Sequence, residues 1–307
     1  ASDDVKAEIV KLKSQNIKGI ILDVRNNGGG SLTEVVDIVG LFMKNGPVVQ
    51  IKDPNGRINI LRNKTNSPVW EGPLVIMQNE FSASASEILA GAMKDYGRAV
   101  VVGSSHSYGK GTVQTFADLN RFMNSTDDFG SIKLTIQKFY RVNGKSTQLK
   151  GVDADIPMND FFSYSEIGER YRDNALPWDQ IPTTRFAPVG TLNISSLQKN
   201  SQDRMSKNSN YQLLLESAQW REKLDKEEKI TLNLNKFNKL MKSRKDQIKK
   251  FKSLSKYDNK LVFTLHKDEQ ARGKKDEVFA KKSESWLKNL KRDLFLEETV
   301  NVISEIK

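Results

Sequence analysis

Compact apolar runs of strand length alternate along the first half of the chain with longer segments whose apolar residues recur at helical spacing. Val5, Ile9, Val10 and Leu12 share one helical face behind an acidic opening, so residues 3–15 are expected as a first helix. Residues 19–24 (GIILDV) are a strand-like run that passes into Arg25, Asn26, Asn27 and three glycines, Gly28, Gly29 and Gly30. Ser31 then stands as a candidate N-cap for a helical pattern reaching about Met43. Strand, glycine loop and helix together make an α/β unit. The runs at 48–61 flank Pro54, Asn55 and Gly56 and read as a hairpin, and residues 73–79 (PLVIMQN) read as a buried strand. A helix is expected from about Ser84 to Tyr96, ended by Gly97 and followed by a third buried strand at 99–103.

Beyond Lys110 the pattern changes. Residues 131–148 alternate across Asn143 and Gly144, a hairpin signal, and 151–157 (GVDADIP) read as a closing edge segment. Residues 158–192 are rich in Asp, Pro, Ser and Thr with little periodicity and are expected as a linker. The last third carries helical spacing at 195–225 and 280–306, dense in Lys and Glu; residues 231–235 and 261–265 could be strands, and 266–279 reads as solvated loop or helix end. The expected organisation is a core over 1–157, a linker over 158–192 and a basic, mainly helical domain over 193–307.

Charge sharpens that division. The net charge is +11, and residues 191–307 hold 27 Lys and Arg against 17 Asp and Glu, leaving 22 against 21 for residues 1–190. The excess therefore lies in the helical third, where it alternates with acids and lacks interleaved aromatics. That arrangement argues against nucleic-acid binding and suits a solvated or protein-contacting surface. Cysteine is absent and only His106 and His266 are present, so thiolate chemistry is excluded and a histidine triad disfavoured. The opening residues lack the basic and apolar regions of a signal peptide, and no apolar run reaches the roughly 20 residues of a membrane span.

The candidate chemistry lies between Phe81 and Gln114. Ser82, Ser84 and Ser86 alternate with Ala83 and Ala85 at the mouth of the apolar helix, and Lys110 follows in a loop between Gly109 and Gly111. A serine hydroxyl needs a base, and a lysine serves as one once its ammonium form is disfavoured by burial. The Ala85 N–H at a helix start, and the backbone of the three-glycine loop, can each face an anion. Such a loop equally suits phosphate binding or a plain tight turn. A nucleotide-binding loop fits poorly at 103–112 (GSSHSYGKGT): five residues rather than four separate Gly103 from the Gly-Lys pair, and Gly111 occupies the place of the magnesium-binding Ser or Thr. Spacing alone does not choose among the three serines.

LDVRNNGGG, FSASASEI, DYGRAVVVG and YGKGTVQ, in this order, resemble the C-terminal processing peptidases, serine proteases of family S41, and among them the bacterial periplasmic tail-specific (Prc) type. The likeness extends through IQKFYRVNGKSTQLKGVDADI and DNALPWDQI. It implies an α/β fold with a ClpP/crotonase-like protease core, a mixed sheet and flanking helices, plus a mainly α-helical C-terminal domain. It also implies a Ser/Lys dyad of Ser84 and Lys110, an accompanying Asp95, Gln114 orienting the lysine amine, and an oxyanion hole from Ala85 with Gly28 and Gly29. No cofactor or metal is implied. The implied partners are proteins with unstructured apolar C-termini, such as cell-wall enzymes, a lipoprotein adaptor, and peripheral association of the full-length protein with the inner membrane; the implied setting is periplasmic. Against the family pattern, Ser84 and Lys110 are 26 rather than 25 residues apart, and the chain is expected to be the C-terminal half of a longer enzyme, without the signal peptide, N-terminal helices and PDZ domain of the family. An alternative expectation is a fragment without activity that serves as a scaffold through its basic helices.

Overall fold

In the computed structural model residues 1–121 and 127–306 are described. The short β-branched runs form strands and the amphipathic segments form helices, in the order α1 (Ser2–Lys13), β1 (Ile20–Asp23), α2 (Leu32–Gly40), β2 (Gly46–Lys52), β3 (Ile58–Asn63), β4 (Leu74–Gln78), α3 (Ala85–Asp95), β5 (Val100–Gly103), β6 (Thr112–Asp118), β7 (Ser131–Tyr140) and β8 (Ile156–Pro157). Six helices follow: α4 (Ile194–Lys207), α5 (Ser209–Asp225), α6 (Leu234–Phe251), α7 (Lys267–Gly273), α8 (Glu277–Lys291) and α9 (Leu294–Glu305). The α/β core and the helical C-terminal region both match expectation.

One sheet is parallel, in the order β1-β4-β5-β8; the other is antiparallel, in the order β3-β2-β7-β6. Strands β4 and β5 lie at the centre of the parallel sheet, and both faces are covered. Ile76 and Val101 point into a core shared with Val39 of α2 and Leu89 and Met93 of α3. Val75, Val100 and Val102 point the other way, to Leu197 and Met205 of α4 and Val302 of α9. Burial on both faces explains why these strands read as continuous apolar runs rather than alternating ones. Each such side chain withdrawn from water contributes about 1.5–3 kcal/mol. The parallel strands all end at the same edge, and the functional residues gather there.

The helical region is fastened to this core. Asn193, Asn208, Asn233, Asp276 and Asp293 each cap a helix by accepting backbone N–H bonds. Arg204 of α4 bonds Glu298 of α9 at 2.7 Å and also meets Glu305. Residues 158–192 contain a single 3-10 turn among the named elements, yet they are tied down: Trp178 donates to the Ser146 carbonyl at 2.9 Å, and Asp179 accepts from Tyr140 at 3.0 Å. No helix of the described residues is long and apolar enough to cross a membrane.

Four local expectations are corrected. Residues 131–148 do not form one hairpin: the Asn143-Gly144 turn exists, with Gly144 N–H bonding the Arg141 carbonyl at 2.9 Å, but past it only Tyr140 and Ser146 bridge. Strand β7 pairs instead with β2 and β6, because residues 146–148 turn aside to contact the Lys110 loop, where Gln148 Oε1 accepts the Gly111 N–H at 2.8 Å. Residues 231–235 are not a strand, since Asn233 caps α6, and 261–265 lack a partner strand to complete a ladder. Within 266–279, residues 267–273 form a full helical segment.

Candidate active site

Strand β4 delivers the chain into a turn where the three serines separate by environment. Ser82 is buried, donates to the Val24 carbonyl at 2.8 Å and accepts the Asn79 N–H. Ser86 is buried and donates to the Asn27 carbonyl at 3.1 Å. Ser84 is partly exposed, its hydroxyl donates no hydrogen bond among the described residues, and its backbone sits at φ 57°, ψ −114°. A non-glycine residue held there costs about 1–3 kcal/mol and persists only where its surroundings enforce it. A strained serine between a parallel strand and the helix that follows is the geometry that presents a hydroxyl outward at the edge of a sheet.

The enforcing group is Glu87, in the first turn of α3. Its carboxylate is fully buried. One oxygen accepts the backbone N–H of Ser84 at 2.7 Å and that of Lys110 at 2.9 Å; the other accepts the Gly109 N–H at 2.7 Å and the Ser107 hydroxyl at 2.6 Å. A single carboxylate oxygen thus joins the backbones of Ser84 and Lys110. Burial pushes the Glu87 carboxyl up to about 7, against the pull of its four donors. The Ser-x-x-Glu spacing of a capping box, Ser84 to Glu87, was the available signal for it.

Lys110 is held in a loop whose flanking glycines admit close neighbours. Gly109 has φ +90°, and a Cβ there would lie 2.9 Å from the Leu149 backbone. Ser104, Ser107 and Gly109 are buried while Ser105 is exposed, so the loop bulges at Ser105 and the stretch bonded to Glu87 stays pinned.

The glycine loop closes on the same turn. Gly29 has φ +104°, and a Cβ there would fall 2.7 Å from Ser84 Cβ and 3.0 Å from Ala85 N. Asn27 ties the loop down: its carbonyl accepts the Ala83 N–H at 3.0 Å, and its side chain accepts the Gly29 N–H at 2.9 Å. Among the described residues the N–H groups of Ala85, next to Ser84, and of Gly28, next to the Gly29 that packs on the turn, donate to no protein acceptor.

The remaining expected residues lie elsewhere. Asp95 ends α3, the helix that begins beside Ser84, and its buried carboxylate pairs with Arg141 and accepts from Asn143 at 2.8 Å. Burial pushes its carboxyl up while Arg141 pulls it down. Gln114 is exposed on β6, beside a register shift, and no hydrogen bond links it to Lys110. A cavity of about 320 Å³ borders the Ser84 turn, reached past Ala85 and Gly29 and walled by Leu22, Val35, Ile38 and Leu89. A larger cleft of about 660 Å³ runs between Tyr108 and residues 166–175.

Comparison with known proteins bears on the same segments. Residues 1–158 match peptidase family S41, and residues 162–307 match the C-terminal domain of tail specific protease (DUF3340). The chain is 40% identical over 261 residues to the tail-specific protease of Haemophilus influenzae, covering 83% of this chain and 37% of that protein. It is 34% identical over 149 residues to the chloroplastic C-terminal processing peptidase of Tetradesmus obliquus, covering 48% of this chain and 30% of that protein. Among solved structures, the photosystem II D1 C-terminal processing protease is similar with a TM-score of 0.46 and 31% identity, covering 52% of this chain and 39% of that one. The chain therefore spans about a third of the length of the curated relatives it matches.

Proposed function

The chain belongs to peptidase family S41, and from that membership we propose that it carries the catalytic centre of a serine endopeptidase with Ser84 as nucleophile and Lys110 as general base. The observation that carries the proposal is the Glu87 oxygen bonded to the backbone N–H of both residues. Holding the backbones of a candidate base and of a strained, partly exposed serine on one carboxylate oxygen supports the pairing that nucleophilic catalysis requires.

The steps follow from that placement. The Lys110 amine takes the proton of the Ser84 hydroxyl as Oγ bonds to the carbonyl carbon of the scissile peptide. The carbonyl electron pair moves to oxygen, and the oxyanion meets the free N–H groups of Ala85 and Gly28. Collapse of the tetrahedral species breaks the C–N bond, and the Lys110 ammonium returns the proton to the leaving amine. Water then adds to the Ser84 ester with Lys110 again as base, releasing the acid and restoring the serine. Asp95 is assigned a supporting role at the far end of α3, through Arg141, and Gln114 is assigned no step.

The apolar cavity past Ala85 supports an apolar side chain on the acyl side of the cleaved bond. The tail-specific and C-terminal processing relatives support protein substrates; unstructured apolar C-terminal segments, a periplasmic setting and presentation by an adaptor or the membrane surface complete the proposal. Turnover of a peptide with an apolar tail tests the assignment. Ser84→Ala and Lys110→Ala are each expected to abolish it in a folded protein; retained turnover in either variant removes that residue from the chemistry.

A further inference from the structure

The glycine loop is held from two sides, and one of them is the helical C-terminal region. Arg25 stands where the chain leaves β1, three residues before Gly28. Its guanidinium bonds Asp23 at 2.7 Å and, across 268 residues of sequence, Asp293 at 2.6 Å. Arg25 and Asp293 are only 20% and 16% exposed. Asp293 divides its oxygens between two tasks: Oδ1 accepts the Leu296 N–H at 2.9 Å as the N-cap of α9, and Oδ2 takes Arg25.

Both ends of this strut are fixed. Helix α9 lies on β1 and β4, with Val302 fully buried against the sheet, and Asn259 holds the turn before it by bonding the Leu290 carbonyl at 2.9 Å. At the other end Asn26 adopts a left-handed φ of 59° and exchanges hydrogen bonds with Asn79, both at 2.9 Å. The chain then reaches Asn27, whose carbonyl is bonded to Ala83 and Ser86 of the serine turn. Arg25 thus sets the point from which the left-handed turn launches the Gly28–Gly29 backbone against Ser84.

We propose that Asp293 is a positioning residue for the acyl-transfer site, acting through Arg25 on the placement of the Gly28 N–H. This rests on the reading of Ser84 and the glycine loop given above. Asp293 touches no substrate; it couples the helical region to the oxyanion donors, so the core alone holds an incompletely braced loop. A donor that meets only the charge developing in the transition state acts on kcat rather than on ground-state binding, so a residue that places it is read in kcat.

The test is steady-state turnover of an apolar-tailed peptide by the protein and its variants, with thermal melts run beside it. Asp293→Ser keeps an N-cap oxygen but is too short for Arg25, and Asp293→Asn keeps the cap and the shape without the charge. Asp293→Ser is expected to lower kcat about tenfold or more with KM within twofold and the melting temperature little changed, because a displaced catalytic group costs rate steeply; Asp293→Asn falls between. The double variant Arg25→Ala/Asp293→Ser is expected to match Arg25→Ala alone. Wild-type kcat in Asp293→Ser, a loss carried by KM, or losses that multiply in the double variant would each overturn the proposal. Turnover that survives Ser84→Ala would instead overturn the acyl-transfer reading, so the two failures are told apart.

Discussion

Exchanging single glycines in the loop beside Ser84 separates a steric requirement from a merely flexible turn. At Gly29 an added methyl meets three obstacles at once: Ser84 Cβ at 2.7 Å, the Ala83 carbonyl oxygen at 2.8 Å and Ala85 N at 3.0 Å. The backbone there also has φ +104°, a region an L side chain resists at about 1–2 kcal/mol. Relieving the overlap by shifting buried backbone adds about 1–3 kcal/mol. Gly29→Ala is therefore expected to lose about 2–5 kcal/mol of stability, and any relaxation must move the serine turn or the loop away from each other. A shift near 1 Å is worth about a hundredfold in rate. At Gly28 the same methyl meets nothing within 4 Å and φ is not positive, while the N–H proposed to bind the oxyanion is retained. Gly28→Ala is expected within about 0.5 kcal/mol of wild type, with turnover largely kept. Urea denaturation and kcat for an apolar-tailed peptide, measured on both variants, decide the matter. Equal losses in the two, or a Gly29→Ala protein within twofold of wild type in kcat, would refute the reasoning.

Four further outcomes follow from named contacts. Glu87 must stay ionised to accept four donors, so kcat is expected to rise with pH through about 7, and Glu87→Gln to lower kcat and remove that step; an unchanged profile in Glu87→Gln would assign the step to another group. Stability moves in the opposite sense, since a carboxyl raised from 4.5 to about 7 in the folded state contributes fully below 4.5 and its contribution is lost as pH rises through 7; the difference between wild-type and Glu87→Gln unfolding free energies across pH 4–8 reads this directly. Asp95→Asn leaves the buried Arg141 cation without its ion pair and is expected to cost about 3–5 kcal/mol, part of it recovered in Asp95→Asn/Arg141→Met, as chemical denaturation of both would register. Ile38→Phe intrudes on the 320 Å³ cavity and is expected to depress kcat/KM for peptides with large apolar side chains at the cleaved bond more than for those with alanine; equal effects on both would detach the cavity from specificity.

What the residues disclosed in advance was whatever is decided locally. Residues 74–77 and 100–102 read as strands because burial on both faces leaves no polar positions, and Gly56 and Gly97 marked chain reversals through positive φ. Partners chosen across long distances left no such mark. The Asn143-Gly144 turn was legible, but β7 pairs with β6 and β2 by register with strands far away in sequence. Residues 261–265 have strand composition and no edge to join. In the site, alternating serines and a glycine-flanked lysine were visible and the family resemblance already pointed to Ser84, whereas the backbone strain and hydrogen bonds that set it apart from Ser82 and Ser86 were not legible. Glu87 looks in sequence like any acidic residue at a helix start, and its role appears only when the Lys110 loop folds onto it. The Arg141 partner of Asp95 and the Asp293 partner of Arg25 were invisible for the same reason, since an ion pair 46 or 268 residues apart has no local signature.

Covalent labelling by a fluorophosphonate, followed by peptide mapping, tests the central claim most directly. A phosphonyl group on Ser84 alone, with labelling abolished in Lys110→Ala, is the predicted result. Label on Ser82 or Ser86, or Ser84 labelled at the wild-type rate in Lys110→Ala, would contradict it.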